Sequence, residues 1–142
     1  MDIIKPKKLK IGDTIGIVSP SGYIAPELKP QFDNGVKFLE SLGLRVKIAK
    51  NVFKRYYYSA GTVNERVSDL HEMFADPEVG AIIQSQGGET ANELLDHLNW
   101  ELIKNNPKIF GGMSDGTTLL LSIFAKTGII TLHGPDLLWW YQ

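Results

Sequence analysis

Short apolar strands alternate with amphipathic helices along the whole chain, and this alternation limits its fold more than any other feature. Thr14-Ile15-Gly16-Ile17-Val18 reads as a buried strand, closed by the turn-rich Ser19-Pro20-Ser21-Gly22. Pro26 suits a first helical turn, and Leu28, Phe32, Val36 and Leu39 recur at helical spacing as far as Gly43. Arg45-Val46-Lys47-Ile48-Ala49 alternates as a strand. Thr62 with Glu65 forms a capping box for a helix carrying Val67, Leu70 and Phe74, which Asp76-Pro77 stops. Val79–Ile83 is the next strand and opens into Gly87-Gly88. Thr90 and Glu93 repeat the capping pattern ahead of a short helix with Leu94 and Leu95, and another helix spans Trp100 to Lys104. Ile109-Phe110 then reads as a strand, Thr117 to Lys126 as a strongly apolar helix, and Ile129–Leu132 as a last strand. Such alternation predicts an α/β fold, a mostly parallel sheet with helices on both faces, in one domain over residues 1–142.

Composition removes several function classes. Hydrophobic residues make up 43% of the chain, which excludes disorder, and 15 basic against 16 acidic side chains leave no bulk charge to draw in a polyanion. The stretch Lys54-Arg55-Tyr56-Tyr57-Tyr58 interleaves bases and aromatics as nucleic-acid readers do, but no broader basic stripe supports it. A solvated loop or the edge of a substrate cleft fits it better, and no nucleic-acid partner is expected. With zero cysteines there is no disulfide scaffold, thiolate metal site or cysteine nucleophile. No histidine–carboxylate spacing suggests a metal, and no organic cofactor is expected. No apolar run approaches the roughly 20 residues that span a bilayer, and no apolar leader core follows Met1-Asp2-Ile3-Ile4-Lys5. These features predict a cytoplasmic protein without a membrane partner.

In parallel sheets of this kind, ligands bind beyond the carboxyl ends of the strands. Those ends carry Ser19-Pro20-Ser21-Gly22, Gln86-Gly87-Gly88-Glu89-Thr90, Met113-Ser114-Asp115 and His133-Gly134-Pro135. The sharpest motif is Gly112-Met113-Ser114-Asp115-Gly116, a G-x-S-x-G between a strand and a helix, the context of a nucleophile elbow. Its turn would lift the Ser114 hydroxyl above the strand end, and the backbone N–H of Asp115 would be an oxyanion donor. The plainer reading is a glycine-rich turn with Ser114 as an N-cap. Gly87-Gly88 before a helix start allows close backbone approach to an anion and a second oxyanion donor, or is simply a tight turn. It lacks the lysine of a phosphate loop, so nucleotide binding is weakly supported.

A nucleophilic serine needs a base and an acid. His71 and His97 fall within expected helices. His133 lies at the right edge of the sheet, but Asp136 is the sole acid after it. A complete triad within the chain is therefore not expected. The ending Leu138-Trp139-Trp140-Tyr141 places large aromatics where chain ends are usually frayed. Either it docks on its own core, or it belongs to a surface of a larger molecule or an oligomer.

Around Ser114 the chain resembles the LD-carboxypeptidase family of serine peptidases, which includes microcin-immunity-type enzymes. The resemblance begins at Gly12-Asp13-Thr14-Ile15-Gly16-Ile17-Val18-Ser19-Pro20-Ser21 and continues through Ala60-Gly61-Thr62, Glu65-Arg66, Asp69-Leu70 and Asp76-Pro77. It then runs through Gln86-Gly87-Gly88-Glu89-Thr90, Asn106-Pro107-Lys108, Gly112-Met113-Ser114-Asp115 and Thr127-Gly128 to His133-Gly134-Pro135. The Gly-Gly-Glu-Thr form is similar to the microcin-immunity branch. The resemblance implies Ser114 as nucleophile, with the backbone N–H groups of Asp115 and Gly88 as oxyanion donors. It also implies that the triad's glutamate and histidine lie in a C-terminal domain absent from this chain, and that His133 is a motif histidine and not the catalytic one.

The expectation is the N-terminal, nucleophile-bearing half of a serine carboxypeptidase, inactive alone. It would act by acyl transfer on small peptides or peptide-like substrates, either L,D-linked cell-wall peptides or microcin-type peptide adenylates. Its expected partners are that substrate and the missing C-terminal domain, with a homodimer left open. The Trp139-Trp140-Tyr141 ending then reads as the boundary where a second domain begins. The competing reading is a stand-alone, non-catalytic α/β domain that binds a ligand or partner.

Overall fold

A computed structural model describes residues 2–140. Five strands form one parallel sheet: Thr14–Val18 (β1), Arg45–Ile48 (β2), Val79–Gln84 (β3), Ile109–Gly112 (β4) and Leu132–His133 (β5), in the order β2-β1-β3-β4-β5. Register follows the apolar runs, with Ile17 opposite both Ile48 and Ile83, and Ile82 opposite Phe110. Every residue of β1 is buried, as expected of a strand covered on both faces. Gly16 packs tightly there, since a Cβ at that position would lie 2.6 Å from Met73 Sδ and the buried methionine would have to shift.

Four helices join the strands: Lys29–Ser41 (α1), Val63–Ala75 (α2), Trp100–Asn105 (α3) and Thr117–Thr127 (α4). The step from β1 to β2 runs opposite to all later steps, so right-handed crossovers place α1 on one face of the sheet and the other helices on the opposite face. Consistent with this, α3 packs against both α2 and α4, whereas α1 is covered by the 137–139 turn. Phe32 and Leu39 of α1 are fully buried on the first face. On the second, Phe74 of α2 stacks on Phe110 of β4 with ring centres 6.0 Å apart. Among the described residues, no helix is long and apolar enough to cross a membrane.

The capping box at the start of α2 forms as read. Glu65 N–H donates to Thr62 Oγ1 at 3.3 Å, and Thr62 N–H donates to the Glu65 carboxylate at 2.9 Å. Thr62→Ala should therefore cost about 1 kcal/mol, seen as a lower urea midpoint with an unchanged slope.

Two local expectations need correction. Thr90 and Glu93 do not cap a helix: residues Ala91–Leu94 form a single 3-10 turn with no side-chain cap, and His97 lies in a turn beyond it. The last strand is Leu132–His133, because Ile129 instead bridges to Ile4 of the N-terminal segment. At the end of the described chain, Leu137 is fully buried, Trp140 lies edge-on to Phe38 at 6.3 Å, and Trp139 is 56% exposed. Tyr141, also part of the expected boundary, lies outside the described residues.

Candidate active site

The carboxyl ends of β1, β3, β4 and β5 meet on one rim, and Ser114 stands there at the turn between β4 and α4. It is exposed and has φ 54°, one of two non-glycine residues among those described with a positive φ. A left-handed backbone costs an L-residue about 1–2 kcal/mol, so the surroundings must hold it there. Residues Ser114–Gly116 form a 3-10 turn that runs into α4, which leaves the first N–H groups without carbonyls one turn back.

The Gly87-Gly88 turn packs directly against this serine. A Cβ on Gly87 would sit 3.0 Å from both Cβ and Oγ of Ser114 and 3.6 Å from the Asp115 nitrogen. Gly88 needs its bare backbone for a different reason, since a Cβ there would press into Gly22, 2.5 Å from its nitrogen. The Gly87 carbonyl accepts from Gly22 N–H at 3.0 Å. A trans peptide points its C=O and N–H in opposite directions, so the N–H of Gly88, an exposed residue, is directed away from the Gly22 N–H that the Gly87 carbonyl accepts.

Asp115 is tied by its side chain. Its carboxylate accepts from Ser21 Oγ at 2.5 Å and from Ala91 N–H at 2.8 Å, joining the β1, β3 and β4 loops. Ser21 Oγ in turn accepts from Thr90 N–H at 3.1 Å. Arg66, reaching up from α2, donates to Pro20 O, to Thr90 O and Oγ1, and to Glu93 at 2.7 Å. The Tyr56–Ser59 turn is fastened to the same rim through the Gly22–Ser59 bridge and a 2.8 Å hydrogen bond between the Ser59 and Thr90 hydroxyls. Its three tyrosines edge a cleft of about 160 Å³ with Thr90 and Glu93.

Beneath the turn lie Gln84, which sequence reasoning passed over, and Asp136, which it weighed only as an acid near His133. Gln84, at the end of β3, donates from Nε2 to Met113 O at 2.7 Å and to Asp136 Oδ1 at 2.5 Å. The same Asp136 oxygen accepts from Met113 N–H at 3.0 Å. Burial pushes the Asp136 carboxyl up from the usual aspartate range, opposed by the hydrogen bonds from Gln84, Met113 and Gly87 and by the nearby His133. The signal for Gln84 was a polar residue closing an otherwise apolar strand.

Among the described residues, none of the three histidines is a hydrogen-bond partner of the Ser114 hydroxyl. His71 Nε2 accepts from Asn99 N–H at 2.9 Å, His97 is exposed in its turn, and His133 is exposed on β5 opposite Gly112. Nor is there, among those residues, a group of three or more acids and histidines able to hold a metal ion.

The sequence signature of the LD-carboxypeptidase N-terminal domain matches residues 15–134. The chain belongs to the LD-carboxypeptidase family. It is 42% identical over 133 residues to a probable murein peptide carboxypeptidase of Bacillus subtilis, a match covering 94% of this chain and 41% of that protein. It is 40% identical over 130 residues to the microcin C7 self-immunity protein MccF of Escherichia coli, covering 92% and 38% respectively. The solved structure of wild-type MccF in its apo state superposes with a TM-score of 0.90 at 39% identity, over 94% of this chain and 40% of that one. The chain thus spans about two fifths of the length of these LD-carboxypeptidase relatives.

Proposed function

We propose that this chain is the nucleophile-bearing part of a serine carboxypeptidase, with Ser114 as nucleophile and the N–H groups of Asp115 and Gly88 as its oxyanion hole. The observation that carries the reading is Ser114 itself, exposed and held at φ 54° on a strand-to-helix turn with the glycine pair against it. The Gly88 N–H directed away from Gly22 and the Asp115 nitrogen beside Gly87 suit donors aimed at a developing negative charge.

In this mechanism Ser114 Oγ forms a bond to the carbonyl carbon of a small peptide or peptide-like substrate, and the two N–H groups hold the tetrahedral oxyanion. The C–N bond then breaks, the amine leaves with a proton from the general base, and water releases the acyl group from Ser114. The base and its acid are proposed to lie in a C-terminal domain outside these 142 residues, leaving the chain alone with little or no turnover. The absence of a histidine partner for Ser114 among the described residues supports this, as does the length of the relatives. Two substrate types are in view. Relatives include a murein tetrapeptide carboxypeptidase of Pseudomonas aeruginosa, and MccF has been solved in complex with aspartyl sulfamoyl adenosine. A cytoplasmic setting fits either substrate.

A serine-reactive phosphonate tests the reading, with the adduct mapped by mass spectrometry. Slow labelling confined to Ser114 and lost in Ser114→Ala is the expected result. Equal labelling of Ser114→Ala, or an adduct only at other residues, would overturn it and favour a non-catalytic binding domain.

A further inference from the structure

Met113, the residue that launches Ser114 into its left-handed conformation, has both of its backbone polar groups held. Its N–H donates to Asp136 Oδ1 at 3.0 Å, and its carbonyl accepts from Gln84 Nε2 at 2.7 Å and from Gly116 N–H at 3.0 Å. Gln84 spends its second N–H on the same Asp136 oxygen, so the two side chains fix one another as well as the turn. Both are essentially inaccessible, Gln84 at 0% and Asp136 at 1% exposure. The Gln84 side chain lies against Gly116, where a Cβ would overlap it.

Asp136 also opens the last described segment, which is strapped across the sheet. Leu138 N–H donates to Ser85 O at 3.2 Å, Leu137 packs over Gly35 of α1, and Trp140 packs edge-on to Phe38. Trp140 Nε1 donates to Pro135 O at 2.7 Å, which closes the segment on itself.

We propose that Asp136 is a positioning residue for Ser114, clasping the β4–α4 turn from below, and that the clasp holds only while the 136–140 segment is docked on α1. The assignment rests on the reading of Ser114 as nucleophile for its functional meaning, but not for its geometry. A carboxylate oxygen suits the place because it accepts two hydrogen bonds and donates none. An asparagine there must also bury an NH2 group.

Amide hydrogen exchange of Met113 by NMR reads the clasp, and the rate of phosphonate labelling reads its effect on Ser114. In Asp136→Asn, which keeps the side-chain volume, Met113 exchange should accelerate about tenfold and labelling should slow by a similar factor, with β1 and α2 amides unchanged. Asp136→Ala should exceed both effects. If it fails to fold, the asparagine variant decides. Trp140→Ala, which removes the edge-on contact with Phe38 and leaves the Asp136 side chain in place, should accelerate Met113 exchange several-fold. Wild-type exchange and labelling in Asp136→Asn would overturn the clasp, and wild-type exchange in Trp140→Ala would overturn its dependence on docking. If the unsubstituted chain fails to label while Met113 exchange responds as expected, the reading of Ser114 as nucleophile fails and the clasp stands.

Discussion

Ser114→Gly is expected to make the chain more stable and, in an assembled enzyme, chemically dead. Ser114 sits at φ 54°, where an L-residue pays about 1–2 kcal/mol and glycine pays none. Glycine returns part of that gain, about 0.5–1 kcal/mol, through the greater freedom of its unfolded chain. Because Ser114 is exposed, little packing is lost. The net gain should be about 1 kcal/mol, seen as a rise in Tm of about 3 °C. Loss of the hydroxyl should abolish phosphonate labelling and cost on the order of 10⁶ in kcat in the assembled enzyme, as removal of a serine nucleophile does. Ser114→Ala separates the two effects, since alanine removes the hydroxyl but keeps the left-handed strain. It should lose labelling without any gain in Tm. A glycine variant no more stable than the alanine variant would show that the turn is not strained.

The second large effect is expected at Arg66, the largest fully buried side chain among the described residues. Its guanidinium holds Pro20 O, Thr90 O and Oγ1, and Glu93, and so joins α2 to two of the loops around Ser114. Arg66→Ala leaves a cavity and carbonyls without donors, but Glu93, whose side chain is 48% exposed, can return to water. The loss should therefore be about 3 kcal/mol, set by packing and hydrogen bonds and not by an orphaned buried charge. A fall in Tm of about 10 °C is the corresponding measurement. Lysine should recover little, because an ammonium cannot reproduce the fork that reaches two loops at once. A fall in Tm below about 3 °C would show that the buried guanidinium contributes no more than a surface pair.

Arg66 also explains where local sequence reasoning stopped. Thr62–Glu65 and Thr90–Glu93 carry the same spacing, but one forms a capping box and the other does not. The second pair is taken by Arg66 from across the fold, a partner that no local window contains. The strands and long helices were legible because their apolar periodicity is local and strong, as was the turn at Ser114 with the glycines around it. The clasp was not legible. Asp136 stood out only as an acid near His133, whereas its role comes from lying opposite Gln84, 52 positions earlier in the chain. The last strand was misplaced for a related reason, since the apolar Ile129 was claimed by Ile4 at the other end of the sequence.

The position of β1 in the sheet has a consequence for how the molecule is made. This first strand lies between β2 and β3, so it gains its second neighbour only after α1, β2 and α2 have been synthesised, and the sheet grows outward from there. Non-local pairings of this kind form slowly, because the closure of the intervening chain comes before any reward for it. Asp136 emerges from the ribosome after all five strands. Nascent chains that stop short of it would carry all five strands but no Asp136 beneath the Ser114 turn, so the sheet can assemble before the proposed clasp can close on the serine.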